Sequence, residues 1–372
     1  MSSAADALFL RMALGRLRAH WWEAELREPA LTEIARLCPG DAALELDDAD
    51  RRLLTIARHG ADVLRGYSVP LVSAPYIMTM TARDVVLPGL RTDAEGFRVT
   101  MQDGAPLRRD AWEATTRPQM LVVGNSSSWG VGVQDDASHV ASMLNARGDV
   151  SAFNASVKGT NLVQQRLMVD RLLPTGGTAV IVGGVLDLIF ALSWPRDDAH
   201  GALAFWNAGD ADLTRDGEWA LEPGAYGQDE ACRMLTRELQ ALGAIACARD
   251  AQVLFVMQPH LDFVGRAPLP DEARLAEAFV QELGAFRPVH ASGVLQRHAA
   301  AYSAWMADAC ANAGVQFVDT NTAPEFLEPG PWFLDHIHLT DAGHAQLAQT
   351  VRRSLGLTHP AGLTAQPQRP AA

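Results

Sequence analysis

Nucleophilic catalysis needs a hydroxyl, a base and an acid, and this sequence carries all three. Ser126 follows an apolar run in the stretch LVVGNSSSWGVG, and His338 lies three residues after Asp335 in the stretch DHIH. A serine hydroxyl is a weak nucleophile until a base takes its proton, and that base must be held in the correct tautomer. The carboxylate of Asp335 is close enough along the chain to orient the imidazole. The spacing therefore predicts that His338, oriented by Asp335, activates Ser126.

The elements that must bring these residues together alternate between strand and helix. Five short apolar runs are typical of strands that are covered on both faces, and they lie at residues 120–124, 150–154, 178–184, 251–258 and 315–320. Helical spacing follows between them, at 136–147, 160–173, 228–248, 271–285 and 293–313. This alternation predicts a doubly wound α/β sheet of parallel strands. Active sites on such sheets lie at the carboxyl ends of the strands.

Residues from about 119 to 353 resemble the SGNH/GDSL hydrolase family, whose sequence blocks occur here in the family's order. GNSSSWG resembles the first block, with Ser126 at the nucleophile position and Asn125 where the family often has aspartate. The resemblance implies a flavodoxin-like α/β/α sandwich with a five-stranded parallel sheet. The strand and helix count agrees with that fold.

The second and last blocks supply the remaining catalytic positions that the resemblance implies. FNASVKGTNLVQQRL matches the second block, so Gly159 takes the place of the glycine whose N–H helps to bind the oxyanion. DHIH matches the DxxH block, with Asp335 as the orienting acid and His338 as the general base. The expected oxyanion hole consists of the backbone N–H groups of Ser126 and Gly159. The resemblance implies no cofactor.

The third block departs from the family. The family commonly has G-x-N-D, whose asparagine donates to the oxyanion, whereas residues 184–187 here read GVLD and place Leu186 at that position. Losing one such donor costs roughly 3 kcal/mol in other serine enzymes. Three explanations stay open: Asn161 or a side chain from residues 195–227 replaces the donor, the substrate is an activated acyl group, or catalysis has been lost.

Five residues around these blocks are expected to line a substrate pocket: Asn125, Trp129, Asn161, Leu186 and His260. Trp129 fits the core equally well, and His260 fits an ordinary loop. A metal site is not expected, because His336 and His338 are two residues apart and could both reach one ion only if the chain bends, and the sequence offers no second cluster of ligands.

Three segments are expected along the chain. Residues 1–110 form a mostly helical extension and linker, residues 111–356 the α/β domain, and residues 357–372 a disordered tail. Residues 195–227 are expected to form a surface insertion. The apolar stripe on the first helices would serve a protein partner as readily as a core.

Composition excludes several classes of function. Lys and Arg number 31 against 44 Asp and Glu, a net charge of −13, and no basic run is long enough for nucleic acid or an anionic membrane. We find no signal peptide and no apolar stretch of membrane-spanning length. The four cysteines are too dispersed for a disulfide scaffold. We therefore expect a cytoplasmic protein without a membrane span.

The sequence thus predicts a serine esterase, thioesterase or acyltransferase that forms an acyl-Ser126 intermediate on a small-molecule or carrier-tethered acyl ester. Transfer to an alcohol acceptor in a biosynthetic pathway is one alternative. Another is a non-catalytic or weakly catalytic binding module of the same fold, which Leu186 favours. A phosphate cradle at GNSSSWGVG fits less well, because the stretch lacks both the GK[ST] ending and the GxGxxG spacing.

Overall fold

The computed structural model describes residues 4–21, 23–37, 46–75, 77–193, 228–283, 290 and 293–357. The predicted insertion at 195–227 lies outside these residues, as does the predicted tail after its first residue.

The first part of the described chain is helical and then forms short strand pairs. Four helices open it: α1 (Ala4–His20), α2 (Ala24–Leu37), α3 (Asp48–His59) and α4 (Ala61–Ser68). Three antiparallel pairs follow, namely β1 (Leu71–Ala74) with β2 (Met78–Thr81), β3 (Val86–Leu87) with β4 (Leu90–Arg91), and β5 (Thr100–Gln102) with β6 (Ala105–Leu107). The helix α5 (Arg109–Glu113) leads into the main sheet.

The main sheet has five strands, all parallel, in the order β11–β10–β9–β7–β8. They are β7 (Gln119–Gly124), β8 (Ser151–Asn154), β9 (Thr178–Gly183), β10 (Gln252–Met257) and β11 (Gln316–Asp319). Each predicted apolar run forms one of these strands. The prediction of a five-stranded parallel α/β sheet is confirmed.

Helices cover both faces of this sheet. They are α6 (Ser126–Trp129), α7 (Val140–Asn145), α8 (Leu162–Leu172), α9 (Val185–Ser193), α10 (Gln228–Ala248), α11 (Pro270–Leu283), α12 (Val294–Asn312), α13 (Pro324–Leu327) and α14 (Asp341–Ser354). The helix predicted over 136–147 begins only at Val140, because the side chain of His139 caps it by accepting from the N–H of Ser142. None of the described helices has both the length and the hydropathy needed to cross a bilayer.

The alternation of side chains along the strands divides the core into two layers. Leu121 and Val123 of β7 pack in the layer that includes α8, α10 and α12, whereas Met120 and Val122 pack in the layer that includes α7, α11 and α14. Successive residues of a strand point to opposite faces, and both faces here are apolar. This is the α/β/α sandwich that the sequence predicts.

The amino-terminal helices share a third core with the α/β sandwich. Leu17, Ile34 and Val63 belong to the same buried cluster as Trp129 and as Phe279 of α11. Trp129 lies in α6, directly after the strand β7. The helical extension therefore packs against the segment that carries the candidate nucleophile.

Candidate active site

Ser126 lies at the first turn after the carboxyl end of β7. The side chain of Asn125 caps the short helix α6 by accepting from the N–H of Ser127 at 3.0 Å, and Gly130 ends the helix with φ 96°. A Cβ on Gly130 would lie 2.8 Å from the Cβ of His139, so this turn requires glycine. Ser127 and Ser128 are fully buried, whereas Ser126 keeps 8% of its surface exposed. Of the three consecutive serines, only Ser126 is open to a substrate.

Ser126 is hydrogen-bonded to the predicted base. Its Oγ lies 2.9 Å from Nε2 of His338, and Nδ1 of His338 lies 2.6 Å from Oδ2 of Asp335. The other carboxylate oxygen accepts from the N–H groups of Ile337 and His338, each at 2.7 Å. The structure thus brings together the three residues that the sequence singles out as a triad.

Asp335 is buried yet ionised. Burial by itself would raise the pKa of Asp335, but the adjacent imidazole of His338 and the hydrogen bonds from His338 and Ile337 lower it to about 2. An ionised carboxylate accepts a hydrogen bond from the Nδ1–H group of His338. This tautomer leaves Nε2 with a lone pair directed at the hydroxyl of Ser126.

Tyr67 of α4 packs against the imidazole of His338. The two ring centroids are 5.2 Å apart and the rings are nearly perpendicular, at 87°. Burial and the nearby Asp335 raise the pKa of Tyr67 well above its usual value, so its hydroxyl stays neutral. Sequence reasoning missed this residue, because its contact depends on how the helical extension docks.

Lys158, in the second block, holds the end of α4. Its Nζ donates to the carbonyl oxygens of Gly66 at 2.7 Å, Tyr67 at 3.2 Å and Val69 at 2.6 Å. The ammonium also lies 5.3 Å from the ring centroid of Trp129. Burial and the charge of Arg98 lower the pKa of Lys158 to about 7.

The composition contains a signal for Lys158 that sequence reasoning overlooked. Lys158 is the only lysine in the sequence, while all other basic side chains apart from histidine are arginines. A compact ammonium can reach three converging carbonyl oxygens, which the planar guanidinium of arginine cannot match.

The second block curves around the end of β7. The N–H of Val157 and the hydroxyl of Thr160 both donate to the carbonyl of Gly124 at 3.0 Å, and Gly159 adopts φ 72° between them. Within the described residues, the N–H groups of Ser126 and Gly159 donate to no other group. Both donors are therefore available to an oxyanion.

Asn161 follows this loop and caps α8. Its Oδ1 accepts from the N–H of Gln164, whose side chain in turn accepts from the N–H of Asn161. Among the residues that the structure describes, no group accepts from Nδ2 of Asn161. The capping bond fixes the amide and leaves its two N–H donors unused.

The third block has a structural carboxylate beside the leucine. Leu186 is buried in the core at the start of α9. Asp187 accepts from the N–H of Leu162 at 2.8 Å and from the N–H of Gly184 at 3.2 Å. Burial raises the pKa of Asp187 to about 6 despite these bonds. Asp187 therefore ties the third block to the first turn of α8.

The five residues expected in the pocket are all buried. Asn125 donates to Oε1 of Gln258 at 2.6 Å, a residue that sequence reasoning missed, and Trp129 lies between Arg98 and Lys158. His260 follows β10, and its N–H donates to Asn321 at 2.9 Å. Their contribution to a substrate pocket stays a prediction.

His336 and His338 face different partners. His338 contacts Ser126, whereas Nδ1 of His336 lies 3.1 Å from Oδ2 of Asp262. The sequence argument against a metal considered only the pair. It did not foresee Asp262 and His290, which the fold places beside His336.

Comparisons with known proteins extend over most of the α/β domain. The model of the GDSL-like lipase/acylhydrolase family matches residues 122–346. Solved structures with a similar chain include the acetyl xylan esterase AlAXEase, with 13% identity, 64% of this chain and 99% of that chain covered, and a TM-score of 0.35. TesA has 18% identity, with 64% of this chain and 98% of that chain covered and a TM-score of 0.36. The salicylyl-acyltransferase SsfX3 from a tetracycline biosynthetic pathway has 13% identity, with 66% of this chain and 55% of that chain covered and a TM-score of 0.33. None of the curated proteins matches the chain.

Replacing Lys158 tests whether it holds α4 and Tyr67 in place. Lys158→Met keeps the length of the side chain but removes the donor to three carbonyl oxygens, so we expect the free energy of unfolding to fall by about 2 kcal/mol or more. Urea unfolding monitored by tryptophan fluorescence measures this change. The control is Arg171→Met, an exposed basic residue at the end of α8, for which we expect a change within about 0.5 kcal/mol. Equal stability of both variants would contradict the role of Lys158.

Proposed function

Because the chain belongs to the GDSL-like lipase/acylhydrolase family, we propose that it is a serine esterase, thioesterase or acyltransferase that works through an acyl-Ser126 intermediate. The observation that carries the proposal is the chain of two hydrogen bonds from Ser126 through His338 to Asp335, at 2.9 and 2.6 Å. A structural serine has no need of an imidazole that is oriented by a buried, ionised carboxylate. This arrangement is the one that nucleophilic catalysis requires.

The geometry supports a two-step acyl transfer. Nε2 of His338 takes the hydroxyl proton as Oγ of Ser126 attacks the acyl carbonyl, and Asp335 stabilises the imidazolium that forms. His338 then gives this proton to the leaving alcohol or thiol as the tetrahedral intermediate collapses and the bond between the carbonyl carbon and the leaving group breaks. Water or an acceptor alcohol, deprotonated by the same imidazole, attacks the acyl group and restores Ser126.

We further propose that three donors form the oxyanion hole. Two are the N–H groups of Ser126 and Gly159, which bond to nothing else in the described chain. The third is Nδ2 of Asn161, which substitutes for the asparagine that Leu186 replaces. Asn161 suits this role because its Oδ1 is held by Gln164 at 3.3 Å, so its amide is already oriented before the reaction.

The proposed substrate is a small-molecule or carrier-tethered acyl ester. Hydrolysis and transfer share the acyl-enzyme, and the three candidate donors serve both equally. We propose residues 111–356 as the catalytic domain and residues 1–110 as an extension of it. The extension contributes to the site, because Tyr67 of α4 contacts the imidazole of His338.

A second candidate is a binding module that recognises an acylated partner without turnover. The observation that favours it is Leu186, which removes the family's side-chain donor. A module of this kind would not need the hydrogen bond between Ser126 and His338, and covalent labelling of the serine separates the two proposals.

Labelling with a fluorophosphonate tests for an activated serine. We expect stoichiometric labelling of the wild type and its loss in Ser126→Ala and His338→Ala, because the first lacks the nucleophile and the second lacks its base. Intact-protein mass spectrometry measures the adduct. Ser127→Ala is the matched control: its hydroxyl is fully buried, so labelling should persist. A folded wild type that remains unlabelled would favour the binding module.

The dependence of rate on pH tests the assignment of the base. Only a neutral imidazole can accept the serine proton, so kcat/KM should rise from acid pH and should then level off. With the pKa of Asp335 lowered to about 2, the ionisation of Asp335 itself should not appear above pH 4. Hydrolysis of a chromogenic ester across this range measures the profile, and His59→Gln, an exposed histidine of α3, should leave it unchanged. A rate independent of pH would exclude His338 as the base.

Asn161 can be tested without removing its capping bond. Serine caps helices about as well as asparagine, so Asn161→Ser should keep the stability of α8 within a few tenths of a kcal/mol while losing the amide donor. We expect kcat to fall by about 10² to 10³ with little change in KM. Steady-state kinetics and thermal unfolding of the same samples separate the two effects.

Leu186→Asn complements that experiment, because it restores the donor that the family commonly has at this position. If Asn161→Ser retains the wild-type kcat and Leu186→Asn raises it, the hole lacks a third donor and the role of Asn161 is refuted.

A further inference from the structure

Four side chains from three separate stretches of the chain meet around His336, the histidine of the DHIH segment that does not contact Ser126. His260 and Asp262 lie in the loop after β10, His290 lies before α12, and His336 lies beside Asp335. Oδ2 of Asp262 is 2.9 Å from Nδ1 of His290, 3.1 Å from Nδ1 of His336 and 3.9 Å from Nδ1 of His260. One carboxylate oxygen is thus the centre of three imidazoles.

These groups are shielded from solvent. The exposed fraction of the side chain is zero for His260, 3% for His290 and 7% for Asp262. Nδ1 of His260 accepts from the N–H of Asp262 at 3.1 Å, but Nε2 of His260 is buried and has no hydrogen-bond partner in the described part of the chain. A buried polar atom without a partner destabilises a fold by an amount comparable to a lost hydrogen bond.

The charge state of the cluster also suits a cation. Burial disfavours imidazolium, and the single carboxylate of Asp262 could neutralise only one imidazolium. The rings pack closely, with centroids 4.0 Å apart for His290 and His336 and 5.5 Å apart for His260 and His290, in nearly parallel planes. Two adjacent imidazolium rings would repel each other, so the cluster offers neutral nitrogens and one carboxylate.

We propose that His260, Asp262 and His290 bind a divalent cation of the class that prefers imidazole and carboxylate, with Zn²⁺ as the first choice. One ligand atom from each residue lies within 4.8 Å of the others. Ligands of a tetrahedral zinc ion lie roughly 3.3 Å apart when each is about 2.0 Å from the metal. A small inward movement of the side chains would bring these three ligands to that spacing and leave the fourth position open. The cation would displace the proton in the hydrogen bond between His290 and Asp262, and this proton would be released to solvent.

A further side chain holds the carboxylate of this site, because Nε2 of Gln296 donates to Oδ1 of Asp262 at 2.6 Å. Nδ1 of His336 lies 3.1 Å from Oδ2, but it makes no hydrogen bond within the described residues. Polar groups that orient a ligand from outside typically raise metal affinity by 10- to 100-fold. Gln296 is thereby a positioning residue of the site.

The cation would link separate segments at the carboxyl end of the sheet, where Asp335 also lies. The N–H of Leu261, between the two ligands of the β10 loop, donates to the carbonyl of His336 at 2.9 Å. Binding of a metal to His260, Asp262 and His290 would therefore link the segment before α12 to the loop of Asp335. No hydrogen bond within the described residues joins the three ligands to Ser126 or His338, so we assign the cation a structural role.

Metal binding can be measured directly on the full chain. After removal of metals with a chelator, equilibrium dialysis against micromolar Zn²⁺ should give one tightly bound equivalent. Asp262→Asn keeps the shape of the side chain but loses its charge and one of its two acceptor oxygens, and His290→Gln removes one imidazole ligand. Both variants should bind the cation at least tenfold more weakly. His59→Gln, which removes an exposed histidine, should bind like the wild type. Zn²⁺ should also raise the Tm of the wild type and of His59→Gln but not of the two ligand variants.

Each result decides the proposal once near-UV circular dichroism shows that the metal-free variants are folded. One equivalent in the wild type that is lost in either folded ligand variant supports the site. Binding of less than a stoichiometric amount to the wild type, or undiminished binding in both ligand variants, overturns it and leaves Asp262 as a hydrogen-bonded hub for neutral histidines.

Discussion

The buried ionised carboxylate of Asp335 is the constraint on which the site depends. It accepts from two consecutive backbone N–H groups and from the imidazole, so the conformation of the DHIH segment and the tautomer of His338 are set by one side chain. The segment is further held where the N–H of Leu334 donates to the carbonyl of His338 at 2.9 Å and where Thr340 caps α14. The sheet has only to present Ser126 at the right distance from this preformed unit.

The bent DHIH segment directs its two histidines to different partners. His338 points to Ser126 and to the ring of Tyr67, and His336 points to Asp262. Two residues that are two apart on an extended strand would point to the same face, so the bends at residues 334–337 are what turn the two imidazoles toward different partners. The histidine cluster and Asp335 are electrostatically coupled, because the charge of Asp335 acts on His260 and His290.

The sequence predicts the fold well because its signals are local. Each strand of the main sheet is a continuous apolar run, and each run is bounded by glycine or a polar residue within a residue or two of the observed end. The triad is also predictable, because Ser126 follows a strand and Asp335 precedes His338 by three residues. The start of α7 is predicted less well, because it is set by the capping side chain of His139 and not by the periodicity of apolar residues.

Contacts between distant segments are what the sequence does not reveal. Tyr67 reaches His338 only because four helices dock on Trp129 and α11, and Lys158 reaches the end of α4 from a loop more than eighty residues away. Asp262 and His290 are 28 residues apart along the chain, and neither lies in a ligand motif. Their meeting follows from the strand order, in which β10 lies between β9 and β11.

The enclosure of Lys158 also makes the helical extension observable by chemistry. Since Lys158 is the only lysine in the sequence and its Nζ is covered by the end of α4, amine-selective acylating reagents find no other lysine side chain to modify. The fraction of chains that gain one lysine adduct in a given time therefore counts the molecules in which α4 has moved away. Peptide mapping by mass spectrometry, which separates an adduct on Lys158 from one on the amino-terminal amine, thus reports the opening of the extension without an engineered label.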